Sequence, residues 1–197
     1  MDDIDYAELE RTTGRRLNVG CGNFPLNYWT NLDMQESMPA QIHADALEYL
    51  AACDAGEYDE IYAGHFLEHL PYDDAKLFLS ECYRVLTPGG KLGVLVPDMR
   101  EIMTRWLHGA IDSVEAPGGY WWPVNDLDAV SHLFLYSDVQ EASPHKWAWE
   151  LVTLARAMHR AGFVDLVEIN RYTDVCIPIG TWYQCGLRGV RPNGDVS

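Results

Sequence analysis

Two glycines and two carboxylates in the first quarter of the chain have the types and spacing to hold a nucleoside. The stretch Arg16-Leu-Asn-Val-Gly-Cys-Gly22 runs an apolar strand into Gly20 and Gly22, leaving bare backbone at a strand's carboxyl end. A ligand approaches such a turn closely because no Cβ stands in the way. Two glycines one residue apart also make an ordinary tight turn, so the flanking residues decide. Asp33 ends a second strand-like run, Trp29-Thr-Asn-Leu-Asp33. A parallel neighbour delivers that carboxylate beside the glycine turn, the placement that binds a ribose diol. Asp45, in His43-Ala-Asp-Ala-Leu47, supplies a second acid at the next loop. His65 directly follows the strand-like Tyr58-Asp-Glu-Ile-Tyr-Ala-Gly64. Histidine titrates near neutrality, which suits a proton acceptor in a pocket at strand carboxyl ends.

The elements that must position these groups alternate between strand and helix from residue 15 to 97, the pattern of a parallel sheet covered on both faces. The clearest helix is predicted from Asp73 to Leu86, with Pro71 before it, Asp73 and Asp74 in its first turn, and Pro88-Gly-Gly after it. A second helix-like stretch runs from Asp98 to about His108. Residues 109–146 break the rhythm with Gly109, Pro117-Gly-Gly119, Pro123 and Pro144 around Tyr120-Trp-Trp122 and His132-Leu-Phe-Leu-Tyr136. They read as an aromatic-rich insertion after the fifth strand, a lid or an interface segment within a single domain spanning 1–197. The periodicity then predicts a helix from Lys146 to Ala161, capped by Gly162, a sixth strand from Phe163 to Ile169 and a seventh from Thr181 to Leu187.

With 197 residues and 48% hydrophobic content, the chain suits one globular domain with a real core. Its 30 acids against 14 bases give a net charge of −16, which makes nucleic acid and anionic membrane surfaces poor partners. The five cysteines are odd in number, scattered and without a C-x-x-C pair, as expected of reduced thiols in a cytoplasmic protein. The acidic Met1-Asp-Asp-Ile-Asp start is unlike a signal peptide, and no apolar run approaches the length of a membrane span.

The order of these motifs resembles that of the class I S-adenosylmethionine-dependent methyltransferases. The resemblance rests on Leu17-Asn-Val-Gly-Cys-Gly22, Asp33, Ala44-Asp-Ala46, His65-Phe-Leu-Glu-His69 and Leu86-Thr-Pro-Gly-Gly90, and covers residues 15–97. The later motifs are similar to those of the branch that includes ubiquinone and menaquinone methyltransferases and polysaccharide-cluster relatives. The resemblance implies an α/β, Rossmann-like, doubly wound and mostly parallel seven-stranded sheet with an antiparallel edge strand. Two departures stand out. Asp33 stands thirteen positions after Gly20, where the family has about 20 and a third glycine, so the first crossover is shortened or replaced by a loop. Asn18 also stands where the family more often has an acid.

For the methyl donor, S-adenosylmethionine, the resemblance implies that Gly20 and Gly22 admit the methionine moiety, with Cys21 and Asn23 lining the turn. Asp33 takes the ribose hydroxyls, Met34 packs on the adenine, Asp45 accepts from the adenine amino group and Ala46 offers its amide. Gly64 and His65 flank the amino-acid end. Methyl transfer from a sulfonium is an in-line displacement that depends on positioning, and a base helps where the acceptor is a hydroxyl. His65, His132 and His145 are the candidate catalytic residues, the last two because they border the pocket in this topology. His65, Glu68 and His69 also form an H-x-x-E-H string, which presents both histidines to one metal only within a helix. Following a strand, the string is read instead as Glu68 and His69 hydrogen-bonding loops beneath the cofactor, with no metal assigned, although the resemblance to quinone methyltransferases that bind a divalent ion near the corresponding acid and histidine leaves that alternative open. The expected activity is methyl transfer to a small-molecule acceptor, an oxygen of a sugar, polyketide or related metabolite. Transfer to nitrogen or carbon, and a non-catalytic cofactor-fold subunit, are the competing readings. The aromatic residues of 109–146 either shape the acceptor site or pack onto the domain or a homodimer partner.

Overall fold

The computed structural model describes residues 15–109, 144–169 and 183–194, and the backbone alone at 115–116 and 120–121. The segment before residue 15, His132 and most of the 109–146 insertion therefore lie outside the described residues.

Four short parallel strands lead the chain: β1 (Arg16–Val19), β2 (Thr30–Asp33), β3 (Ile42–His43) and, after helix α1 (Ala46–Ala52), β4 (Tyr58–Gly64). A single 3₁₀ turn, Leu67–His69, leads into α2 (Tyr72–Val85), then β5 (Leu86–Pro97) and α3 (Met99–Leu107). The two-residue strands β6 (Glu115–Ala116) and β7 (Tyr120–Trp121) pair with each other apart from the main sheet. Helix α4 (Leu151–Arg160), β8 (Val164–Glu168) and β9 (Gln184–Val190) complete the fold. The seven strands order as β3-β2-β1-β4-β5-β9-β8, with β9 antiparallel to both of its neighbours. The expected Rossmann-like, doubly wound, seven-stranded sheet is thus present, and the β8–β9 pair supplies its antiparallel edge.

Central strands buried on both faces read as continuous apolar runs, and Leu92, Val94, Leu95 and Val96 of β5 are all buried. Helix α2 buries Ala75, Phe78, Leu79, Cys82 and Val85, one apolar stripe at helical spacing, while Asp73 and Asp74 in its first turn complement the helix dipole. Among the described residues no helix is long and apolar enough to cross a membrane.

The first crossover contains no helix. Residues 23–29 form a loop held mainly by a buried side chain, Asn31 on β2, with Asn18 Nδ2 also donating to Phe24 O at 3.4 Å. Its Oδ1 accepts from Leu26 N at 2.7 Å and from Asn18 Nδ2 at 2.8 Å, and its Nδ2 donates to the carbonyls of Leu26 at 3.0 Å and Trp29 at 3.1 Å. A helix satisfies its own backbone; a loop this short against the sheet needs a side chain to do so. Asn31 is that side chain.

Two sequence boundaries move. The helix expected from Lys146 begins at Leu151, because residues 144–150 are irregular, with Glu150 extended at the helix N-cap. Lys146 N and Trp147 N both donate to the Glu68 carbonyl, at 2.7 and 3.2 Å, and Met99 N donates to Trp149 O at 2.9 Å. Trp147 stacks on Tyr72 with centroids 4.6 Å apart, and Trp149 is buried. These tertiary anchors override an apolar period that fits a helix. The last strand runs Gln184–Val190, three residues later than the expected Thr181 start. Its register is set by β5, where Cys185 sits opposite Val96 and Leu187 opposite Val94.

Candidate active site

The glycine turn closes on β2. Gly20 N and Cys21 N both donate to the Leu32 carbonyl, at 2.8 and 3.1 Å, and Gly22 N donates to Asp33 Oδ2 at 2.9 Å. Both glycines adopt positive φ, +65° and +50°, a region that costs an L-residue roughly 1–2 kcal/mol. They differ in their surroundings. A Cβ on Gly20 would lie 2.6 Å from the Phe66 ring, whereas nothing stands within 4 Å of one on Gly22. The face open to a ligand is therefore at Gly22, with Asn23 exposed beside it, while Phe66 fills the space against Gly20. Cys21 is buried, and burial together with the Asp33 charge pushes its thiol up to about 11, so it stays protonated and unreactive at neutral pH.

Asp33 is half-buried and uses Oδ1 to accept from Gln35 N at 2.9 Å. A carboxylate has about four lone-pair sites, so two backbone bonds leave capacity for a diol. Met34, next along, is 68% exposed, an apolar surface with no protein cover. Asp33 pairs with His43 across β2 and β3, and Ala44 N donates to Asp33 O, which brings Asp45 to the same edge of the sheet. Asp45 is the N-cap of α1: its Oδ1 accepts from Leu47 N at 2.8 Å and Glu48 N at 3.1 Å. Ala46 behind it is buried. Asn18, in the position of a family acid, donates to Asn31 and not toward the cleft.

Gly64 ends β4, where a Cβ would collide with the Tyr62 ring. His65 follows with φ +52°, a left-handed backbone unusual for a histidine, held by its N donating to Leu95 O at 2.8 Å. The turn aims the imidazole across the sheet edge. Nε2 lies 2.9 Å from Gln184 Oε1, and Nδ1 lies 3.2 Å from Glu68 Oε1. Burial pushes the His65 pKa down, but the Glu68 contact and charge, with help from Gln184, outweigh it and raise the net value. Glu68 shows the mirror image. Burial pushes its carboxyl up, yet His65 and the nearby His69 and His145 hold it below the ordinary carboxylate range.

His145 approaches from the irregular segment 144–150, its Nε2 4.0 Å from Glu68 Oε1 and its ring 4.8 Å from that of His69. The structure thus brings His65 and His145 together around Glu68, while His132 lies outside the described residues. The sequence did not mark Gln184, and it assigned Glu68 to loop hydrogen bonds. The Glu68 carboxylate instead pairs with His65, and it is the Glu68 backbone carbonyl that holds the loop, accepting from Lys146 N and Trp147 N. The H-x-x-E-H string was the signal for two histidines of this cluster; the third, His145, 76 residues on, was marked only by its place in the expected topology.

The methyltransferase-domain family matches the chain over residues 17–94. Ubiquinone biosynthesis O-methyltransferases of Xanthomonas oryzae pv. oryzae are 30% identical to it over 112 residues, covering 45% of this chain and 46% of theirs. The chain thus spans about half the length of the curated relatives it matches. Among solved structures, a SAM-dependent methyltransferase from Archaeoglobus fulgidus superposes with a TM-score of 0.56 at 15% identity, covering 94% of this chain and 92% of that one. Phosphoethanolamine N-methyltransferase 2 of Haemonchus contortus, in complex with S-adenosyl-L-methionine, gives 0.54 at 15% identity, covering 94% of this chain and 51% of that one. At these identities the structural likeness speaks for the fold. In sequence over the glycine turn and the strands behind it, and in fold over most of its length, the chain is similar to the S-adenosylmethionine-dependent methyltransferases.

Proposed function

We propose that the chain transfers the methyl group of S-adenosylmethionine to an oxygen of a small-molecule acceptor, a sugar, polyketide or related metabolite, in the cytoplasm. The observation that supports an oxygen acceptor most directly is His65. It is an ionisable imidazole at the carboxyl end of β4, aimed across the sheet edge and paired with a buried carboxylate. A hydroxyl acceptor must lose its proton during transfer, and an oriented imidazole is the group to take it. Nδ1 engages Glu68, so Nε2 faces the acceptor, with the Gln184 amide exchanging places with the acceptor hydroxyl. On the donor side, Gly22 admits the methionine portion, Asp33 takes the ribose and the exposed Met34 covers the adenine. Asp45 accepts from the adenine amino group with the oxygen it does not use as a cap. The curated relatives, themselves named as O-methyltransferases, support the same reading. A net charge of −16 favours a small acceptor over nucleic acid, and the four free cysteines among the described residues fit a reducing compartment.

One observation favours a different reading, a cofactor-fold subunit without catalysis. Asn18 is tied to Asn31, and so offers no charge to the donor's amino group. Calorimetry with S-adenosylhomocysteine and S-adenosylmethionine, followed by transfer of labelled methyl to a panel of sugars and phenols, separates the two. Binding with transfer to oxygen supports the proposal. No binding at roughly millimolar ligand ends the donor assignment, binding without transfer supports the non-catalytic reading, and label on nitrogen or carbon removes the oxygen acceptor.

A further inference from the structure

We propose that His43 is a positioning residue for the donor's nucleoside, holding the turn that carries Met34 through a hydrogen bond to the Gln35 carbonyl. This role rests on the donor assignment proposed above and adds a residue to it.

The second crossover, like the first, contains no helix. β2 ends at Asp33 and β3 begins at Ile42, so residues 34–41 turn back to the sheet without a helical hydrogen-bond ladder. Such a turn takes its shape from the groups that tie it down. Its far end is tied at Gln41, whose N donates to Asn31 O at 3.0 Å and whose Oε1 accepts from Asn31 N at 2.8 Å. Its near end, beside the acid assigned to the ribose, is tied at Gln35. Gln35 N donates to Asp33 Oδ1 at 2.9 Å, and the Gln35 carbonyl accepts from Met38 N and from His43 Nδ1, each at 3.1 Å. The first two of these bonds stay within the β2 end and the turn. The His43 bond joins the turn to β3.

Chemistry fixes the direction of that bond. A carbonyl oxygen only accepts, so Nδ1 carries the proton and donates, in the neutral ring as in the charged one. His43 stands opposite Asp33 in the β2–β3 register, and Ala44 N beyond it donates to Asp33 O at 3.1 Å. Both residues flanking Met34 are thus bonded to the strip that leads to Asp45. Met34 itself is 68% exposed, and an apolar side chain so open takes its position from its backbone rather than from packing. Whatever fixes Asp33 and Gln35 therefore fixes the surface offered to the adenine. A single solvent-exposed hydrogen bond contributes modestly, so its loss is expected to weaken nucleoside binding by a factor of about two to ten.

The test titrates S-adenosylhomocysteine by calorimetry into the full chain, into His43→Ala, Met34→Ala and the double variant, and into His43→Asn, whose amide nitrogen can stand where Nδ1 does. Hydrogen exchange over residues 34–41 is followed without ligand, and circular dichroism verifies that each variant is folded; His43 and Met34 are both exposed. His43→Ala is expected to bind about two- to tenfold more weakly and to exchange faster in the turn, with His43→Asn returning both to near the parent. The double variant is expected to bind within about twofold of the weaker single variant, because both substitutions damage one platform. His159→Ala, on α4, is expected to change neither reading. Unchanged affinity in His43→Ala or in Met34→Ala, losses that multiply in the double variant, or His43→Asn as weak as His43→Ala overturns the role of His43 and leaves the donor assignment standing. A parent chain that does not bind at roughly millimolar ligand removes the donor assignment, and the role of His43 with it.

Discussion

The two ends of the cleft are built by different means. The donor side, from β1 to Asp45, is made of backbone: amides of Gly20, Cys21 and Gly22 turned onto Leu32 and Asp33, with every contributor inside one stretch of sequence. The side proposed for the acceptor is made of side chains that meet from afar, His65 and Glu68 from one turn, His145 from the segment before α4, and Gln184 from β9. Backbone geometry is written locally, in glycine positions and strand order. A cluster of side chains depends on where distant segments land.

The comparison breaks most sharply at Asp33. If the donor side acts alone in holding the nucleoside, Asp33→Ala lowers S-adenosylhomocysteine affinity by roughly 10²- to 10⁴-fold, the loss of two charge-assisted hydrogen bonds at about 1.5–3 kcal/mol each. His65→Ala then changes it by less than about tenfold. Equal losses in the two titrations would show that the halves are not separable. Asn31 comes next, as a donor-side position where a side chain replaces a backbone element. Asn31→Ala strands Leu26 N in a buried site and leaves the Asn18 amide only its longer bond to Phe24 O, and is expected to cost about 2–4 kcal/mol of unfolding free energy in urea. A loss below 1 kcal/mol on that scale would mean the loop is held by its own residues.

The two glycines sharpen the picture at smaller scale. Both pay for positive φ when substituted, but only Gly20 meets Phe66. Gly20→Ala is expected to destabilise by about 2–3 kcal/mol and Gly22→Ala by about 1–2, with Gly22→Ala the more harmful to ligand binding relative to its stability cost. The reverse ranking in melts and titrations would move the open face of the turn to Gly20. The smallest effect is chemical. With its thiol held near 11, Cys21 is expected to react with iodoacetamide at neutral pH far more slowly than an unhindered cysteine, and fast labelling would expose the turn as open beneath Asp33.

What was readable in the chain follows the same division. The alternation of strands and helices and the placement of Gly20, Gly22 and Asp33 at one edge came from local patterns, while the seven-stranded sheet with its antiparallel edge and the shortening of the first crossover came from the family resemblance. The apolar stripe of α2 was also readable locally, because burial at helical spacing leaves a direct mark. The means of shortening was not readable: Asn31 lies in a strand where a polar residue suggests solvent, yet it is buried because a loop without its own hydrogen-bond ladder lies over it. The start of α4 was misplaced for a related reason. Trp147 and Trp149 have helical spacing with Leu151 and Leu154, but Tyr72, Glu68 and Met99 hold them outside the helix. Glu68 itself was visible within its string, while its pairing with His65 and the approach of His145 depend on the fold.

The chain leaves the sheet through α3 and returns on two fixed footings, the Glu68 carbonyl beneath Lys146 and Trp147 and the Asp98–Trp149 bridge. Closing a flexible excursion costs only about 0.6 kcal/mol more for each doubling of its length. The path of residues 144–150 is therefore set by the turn after β4 and the start of α3, and the length of chain that precedes Pro144 bears on it only weakly.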